Sequence, residues 1–572
     1  MLFTSLSALL LFFLYAGIGL TLDSRREMDL QRLARDFWLG WAAALGFLQL
    51  WHFLQPVNSV SGMLLAGAGV AGWFKQRRAL AACLKADPFW RHALTTCALL
   101  AGAAYMANQV ITGELHIDHG LYHLQTVKWL QNFALVPGLG NLHHRFAFNN
   151  ASLLFAAQLN AGFLDGFAFS LVNTVLGLAV AAGCIGSLLK LFTPGKTLHY
   201  VDVFSILLLP LLVFHTRLVA FAGYSPDVAV FSLQCALALE LLCLIESGGK
   251  DQNALNRLLL LGAVSVCVKL SAVVFAGSVM LAGIWIFLRA AKIPILGFIN
   301  NYLSRWVGLV AILILPWLVR GAVLSGYLLY PLSLFPLPLA WRMPASMVDP
   351  VAGIISLWAR FGGNVVLAQG LPDLLRLWVA RNPVIYPRVV LYTGGLLLVS
   401  CFILGVKKKL KESAGWGWLA LVSVLGLAYW FAAAPDPRFA GAGFWLLLCA
   451  ALMAALQAAT TLFPRLPLKA LVAAGMLGLF VWLRPPLIRR VDAAQLIMPI
   501  NEHTFAAAQV RQENTPYLRT GSGLQVYIAN DPTRGACWDA PLPCTSLNDF
   551  VANLQLLEAG NLQSGFTYDF MH

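Results

Sequence analysis

The sequence predicts an all-α polytopic membrane protein of about fourteen transmembrane helices, with long external loops and a small extramembranous α+β subdomain towards the C-terminus. Three observations carry this. Hydrophobic residues make up 59% of the 572 and charged residues only 11%, with a mean hydropathy of +0.74, whereas soluble domains hold roughly 25% charged residues. Apolar runs of about 17 to 25 residues, long enough to cross a hydrocarbon core of roughly 30 Å as helix, recur along nearly the whole chain. None shows the short dyad alternation of an outer-membrane barrel.

Taken in order, the apolar spans lie at 1–22, 37–55, 58–74, 92–108, 166–189, 201–221, 228–245, 257–270, 272–289, 306–324, 388–406, 416–433, 440–459 and 468–484. The first resembles a signal anchor but has no basic leader and no small-residue cleavage site, so it reads as a span. The formal charge of +14 comes from short clusters between spans, without the aromatic interleaving of a nucleic-acid surface. The clusters are "RREMDLQRLAR" at 25–35, "KQRR" at 75–78 with Lys85 and Arg91, Lys190 with Lys196, "RAAK" at 289–292 and "KKKLK" at 407–411. Placing them in the cytoplasm, as the positive-inside rule asks, puts the remaining loops and both termini outside.

Three external segments are then long enough to hold structure: 109–165, 327–387 and 485–572. The first reads as short amphipathic helices broken at "VPGLG" (136–140), where Pro and Gly interrupt the helical period. The second is Pro-rich at "YPLSLFPLPLAWRMP" and suits an extended run along the membrane surface. The third contains "GLQVYIAND" as a strand and "SLNDFVANLQLLEAG" as a helix. Three units follow: accessory helices at 1–91, a transmembrane module at 92–484 and the external subdomain at 485–572. Eight of the ten cysteines sit in or beside apolar spans, where cysteine packs as a small side chain. Cys537 and Cys544 flank "WDAPLP" in the external region, where an oxidising compartment permits a disulfide.

The chemistry-bearing residues gather on the external side. "HIDHGLYHLQTVKW" (116–129) supplies Asp118, His119, Tyr122, His123 and Lys128; "HHRFAFNN" closes the same loop; "YSPD" carries Asp227; "PDPRF" carries Asp436 and Arg438. Lys269 interrupts an apolar hairpin with no room for a full crossing on either side, which predicts two short helices meeting at a polar break. An ionisable residue at membrane depth is costly and points to function, although a lysine can also snorkel from a helix end. Glu114, Asp118 and Tyr122 share one helical side, and His116, His119 and His123 form an adjoining stripe. A carboxylate at the bilayer surface with converging cations suits a reaction in which a hydroxyl loses a proton while a phosphate leaves. The bland readings stand beside it: Asp118 as a solvated loop acid or helix cap, Asp227 as a cap, and Arg438 with Asp436 as a structural pair. No cofactor is called for, and a divalent metal on His119 and His123 is the open alternative.

The early loop Asp, the short "SPD" loop, the lysine in a broken hairpin, the run "LPWLVRGAVLSGYLLYP" (315–331) and the late "PDPRF" together resemble the GT-C superfamily of polytopic glycosyltransferases, which includes aminoarabinose and mannosyl transferases. The similarity covers about residues 92–484 and rests on the order and sidedness of five weak motifs. It implies a bacterial inner-membrane enzyme of cell-envelope synthesis that takes a sugar from a polyprenyl-phosphate carrier. By the same resemblance Asp118 is the base, with Asp227 and His123 beside it. Tyr122, Lys128, Lys269, Arg320 and Arg438 are substrate-binding candidates, the last three for the lipid phosphate. The sequence departs from that family in having three spans before the one that leads into the Asp loop, and in "DHGLYH" where an adjacent acidic pair is commoner.

Two other readings compete. A transporter or flippase of a lipid-linked or small solute would carry charges near mid-span in related halves, and only Lys269 comes near that. A lipid-linked glycan polymerase or ligase is chemically close to the transferase. The expected partners are the prenyl-linked donor and membrane lipid, with no nucleic acid.

Overall fold

The computed structural model describes residues 1–568 except 24–27, 87, 220, 363–370, 411–413, 485–487, 510–516, 530–535 and 546–552. The chain is mostly helical. Among the described residues, ten helices are long and apolar enough to cross a membrane, from Leu2–Leu22 to Gly443–Leu462, so this is a multi-pass membrane architecture. The four other expected spans are helices that miss that standard for plain reasons. Ser59–Lys75, Gln252–Val268 and Leu468–Leu483 have 17, 17 and 16 residues, or roughly 24–26 Å at the helical rise of about 1.5 Å. Leu30–Trp51 is long but carries Arg32, Arg35 and Asp36.

Those charges are accommodated by pairing. Arg35 Nη2 reaches Glu240 Oε2 at 2.6 Å; Arg257 Nη2 meets Asp36 Oδ1 at 2.6 Å and also pairs with Asp23. A buried ion is tolerable only when its partners replace water, and here five acids and bases from three helices and one helix end supply one another. Glycine lets the same helices approach. A Cβ on Gly19 would lie 1.9 Å from the Asp36 carbonyl oxygen, and one on Gly72 would lie 1.8 Å from that of Gly17. This is close small-residue packing of the kind that joins helices in lipid. Leu2–Leu22 packs on Leu30–Trp51, Ser59–Lys75 and Ala168–Leu191, and Tyr15 donates to Gln158 Oε1 at 2.6 Å. The first helices are therefore integral to the bundle and touch the loop segment 109–165.

Ala168–Leu191 lies at the centre, with 94% of its apolar stretch buried, whereas Ile385–Val406, at 22%, lies on the periphery. The lysine hairpin breaks as its polar residue requires: Gln252–Val268 ends at Lys269 in extended conformation, a 3-10 turn Leu270–Ala272 follows, and Val273–Ala290 resumes.

The segment 109–165 is a chain of short helices, with a π-turn at His119–His123, then Leu124–Asn132, Leu139–Leu142, a 3-10 turn His144–Phe148 and Ser152–Leu159. Gly138 turns the chain at φ +61, within the "VPGLG" break. The C-terminal region is mixed. Gln525–Ile528 is a strand, antiparallel to Tyr517–Arg519 and parallel to Cys544–Thr545, and Cys537 is disulfide-bonded to Cys544. The helix expected at 546–560 lies partly outside the described residues. Where described it is corrected, because Leu554–Leu556 is a strand paired antiparallel with Phe566–Tyr568. Val526, Ile528, Leu554 and Phe566 bury against Trp129, Leu135, Val136 and Leu139, so the C-terminal region shares one hydrophobic core with the segment 109–165.

Candidate functional site

Four polar segments meet at one end of the bundle. Asp118 precedes the π-turn of the first loop. Asp227 sits in the first turn of Pro226–Glu246, whose start is fixed by Pro226 and by Ser225 Oγ accepting from the Asp227 N–H at 3.3 Å. Lys269 stands at the hairpin break, and Arg438 lies in the 3-10 turn Pro437–Ala440, capped by Asp436 accepting from its N–H at 3.0 Å.

The side chains interlock. Asp118 is 3.0 Å from Arg145 Nη1 and 3.5 Å from Arg438 Nη1. Lys269 pairs with Asp227. His116 lies between, its ring 3.1 Å from Asp118 Oδ2 and its Nε2 2.5 Å from Arg438 Nη1. A guanidinium only donates, so the His116 ring accepts from Arg438, and its Nδ1 also lies 3.2 Å from the Asp118 backbone nitrogen. One aromatic ring steadies two of the cations: Lys269 Nζ lies 4.0 Å and the Arg438 guanidinium 5.1 Å from the centre of Phe439, within cation–π range. Trp358, from the helix Ala345–Phe361 of the segment 327–387, faces Arg438 at 5.7 Å.

Burial alone would raise the Asp118 carboxyl; the His116 hydrogen bond and the nearby positive charge, including Arg145, outweigh it and hold the group well below the usual carboxylate range. Asp118 nonetheless keeps 21% of its side chain exposed, leaving it open to a ligand. His123 is fully enclosed, and burial pushes it down to about 3 against the opposing pull of Asp118. It is therefore neutral at physiological pH, and its Nε2 has no hydrogen-bond partner among the described residues. Tyr122 is buried beneath Arg145, whose guanidinium lies 5.5 Å from the ring centre.

The other sequence candidates lie elsewhere. Arg320 is buried, donating to His52 Nδ1 at 2.7 Å and to Asn149 Oδ1 at 3.2 Å, and has no contact with the carboxylates. Lys128 points away to the C-terminal region, where it meets Asp539 Oδ1 at 2.9 Å and the Ala540 carbonyl at 2.8 Å. His119 is turned from His123 towards Glu502, with 2.8 Å from its Nε2 to Oε1. Among the described residues, no three His, Cys, Asp or Glu side chains form a group able to hold a metal ion. Sequence reasoning did not single out Arg145, Phe439 or Trp358. The first two stand inside quoted motifs, "HHRFAFNN" and "PDPRF", and a cation beside a flagged acid loop was a usable signal; nothing marks Trp358.

What the arrangement can do chemically is bind an anion beside a carboxylate. Three basic side chains, Arg145, Lys269 and Arg438, face three acids, Asp118, Asp227 and Asp436, so an incoming phosphate can exchange with an acid for its cationic partner.

A family model described as "Domain of unknown function (DUF8201)" matches residues 1–445, and the chain belongs to that family. The match takes in Asp118, Arg145, Asp227, Lys269 and Arg438. No curated protein and no solved structure matches the chain.

Proposed function

We propose that this protein is a GT-C-like glycosyltransferase that moves a sugar from a polyprenyl-phosphate carrier to an envelope acceptor at the external face of a bacterial inner membrane. Asp118, Arg145, Asp227, Lys269 and Arg438, from separate segments of the chain, converge in one ionic cluster at an end of the bundle, and this observation carries the reading. In the reaction the acceptor oxygen bonds to the anomeric carbon, and its proton passes to Asp118. The bond from that carbon to the phosphate oxygen breaks, and the electron pair leaves with the prenyl phosphate onto Lys269, Arg438 and Arg145.

The lowered pKa of Asp118 fits this order of events. A carboxylate held by three partners is a poor base, since a base works best with a pKa near the operating pH. Donor phosphate draws Arg438 and Arg145 towards itself, and Asp118 loses the contacts that kept it acidic. Binding the donor thus arms the base. His123, neutral and beside Asp118, adds no competing positive charge.

Lipid and glycan profiling of cells with and without the protein tests the reading. A prenyl-linked sugar that accumulates on deletion, with the matching glycan decoration lost, supports it. Unchanged prenyl-linked sugars together with altered uptake or sidedness of another solute would replace it with transport.

A further inference from the structure

Glu502 lies outside the ionic cluster, yet it touches both loops that carry the cluster's acids. It opens the helix Glu502–Gln509 and is 1% exposed. Its backbone N–H is anchored on the Gly166 carbonyl at 2.7 Å. One carboxylate oxygen accepts from His119 Nε2 at 2.8 Å, and the other accepts from the Tyr224 hydroxyl. His119 follows Asp118 directly, and Tyr224 stands three positions before Asp227. A carboxylate accepts only, so His119 carries its proton on Nε2, and its buried Nδ1 is left without a partner among the described residues.

The neighbourhood holds the same two loops in register. Leu115 bridges Ala222. The His119 and Tyr224 rings stand 4.9 Å apart, and Gly223, at φ +86, leaves room that a Cβ would take, since that atom would lie 2.8 Å from His119 Nδ1. Trp538 closes the far side: its N–H donates to the Gly120 carbonyl at 2.8 Å, with its ring packed where a Gly120 side chain would stand. A buried carboxylate is costly unless its hydrogen bonds are made, so these contacts are made together or not at all. They also oppose a specific force, because Asp118 and Asp227 carry like charge around shared cations and repel when a substrate draws those cations away.

Resting on the transferase reading above, we propose that Glu502 is a positioning residue that fixes the spacing of Asp118 and Asp227 by tying His119 to Tyr224. It reaches the site through those two side chains and does not touch the reacting atoms.

The test uses the full chain in lipid nanodiscs, with its eight free cysteines replaced and new cysteines at Leu115 and Ala222. Glu502→Gln, which serves one partner but not both as acceptor, should lower the Leu115–Ala222 cross-linking yield by roughly tenfold, as for loss of one charge-assisted hydrogen bond. Tyr224→Phe, a milder change that decides the matter if Glu502→Gln does not fold, should lower it less. In transfer assays kcat should fall with the donor KM unchanged, and Tyr224→Phe should add little in the Glu502→Gln background, since the two residues act as one unit. Wild-type cross-linking in both variants would overturn the proposal whatever the activity. Reduced cross-linking with unchanged kcat, or with only KM raised, would overturn the positioning role. A wild-type protein inert towards every prenyl-phosphate sugar would defeat the transferase reading, while the cross-linking arm would still decide whether Glu502 holds the loops.

Discussion

Arg438 Nη1 lies 3.5 Å from Asp118 Oδ2, joining the last of the polar motifs to the first. Arg438 also leans on Asp436 and faces Phe439 and Trp358, so it is held in place before any ligand arrives. Replacing it by Ala removes one charge-assisted contact to phosphate, which is expected to weaken donor retention by roughly 10- to 100-fold. Lys in its place should recover only part, since it cannot span Asp118 and His116 at once. Retention of radiolabelled prenyl-phosphate sugar by purified variants measures this, and equal retention by Arg438→Ala would remove Arg438 from the donor site.

The membrane sidedness of the whole scheme is checked by cysteine accessibility. Glu114, Asp349 and Glu558 are exposed in loops assigned outside, while Arg77 and Lys408 are exposed in clusters assigned inside. Single cysteines at the first three should react with an impermeant maleimide in intact cells, and those at the last two should not. External labelling at Lys408 would invert the topology and take Asp118 off the external face.

Much of this was legible because the polar residues of a membrane bundle are few, and topology alone sorts them by face. That logic groups Asp118, Asp227, Lys269 and Arg438, and the structure joins them. It fails for Arg320 because sidedness says nothing of helical phase. Arg320 occupies the same end of its helix but faces His52 and Asn149, a direction set by packing partners far off in sequence. Lys128 misleads for a similar reason, as its partner Asp539 belongs to the C-terminal region. The run "LQLL" fits helix or strand equally well, and only its pairing with Phe566–Tyr568 decides it.

Packing of the helix Glu502–Gln509 against the rest of the C-terminal region should depend on pH through His503. Its hydrogen bond to Asp539 is the largest influence and, against burial, raises it to about 9. A raised histidine stabilises fully below its unfolded pKa of about 6.5, and that stability is lost as pH climbs through about 9. At 43% side-chain exposure, solvent screening keeps the effect below about 1 kcal/mol. Protection factors for amide exchange in 502–509, corrected for the intrinsic rise with pH, should therefore fall between pH 6.5 and 9, and His503→Gln should flatten the change. A wild-type profile already flat would show the pair contributes nothing.

The disulfide offers a separate handle on the same region. Cys537 and Cys544 bracket Trp538, which packs on Gly120, and Asp539, which holds Lys128. A short closed loop constrains the unfolded chain by at most ~3 kcal/mol. Reduction should loosen this contact more than it harms the bundle, seen as faster proteolysis within 517–568 with helix content unchanged. Proteolysis at the same rate with and without reductant would show that the bond does not hold the region down.

Asp118 carries the sharpest prediction, since the proposed chemistry needs its negative charge at one moment only. Asp118→Asn keeps the shape and the contact to Arg145 but cannot take a proton. The acceptor step should fall by roughly 10²- to 10⁴-fold, the range for a positioned general base, while expression stays near wild type. Donor binding should not weaken and is expected to tighten, because Arg145 and Arg438 no longer have to leave a carboxylate to meet the phosphate. This combination separates a base from a structural anion: loss of an anchoring ion pair would lower expression and donor binding together. His119→Ala combined with His123→Ala serves as the control for metal. Activity lost in that pair and restored by added divalent ion would move the chemistry to the histidines. Near-normal turnover in Asp118→Asn, with the donor bound, would leave the cluster an ionic staple and remove Asp118 from the mechanism.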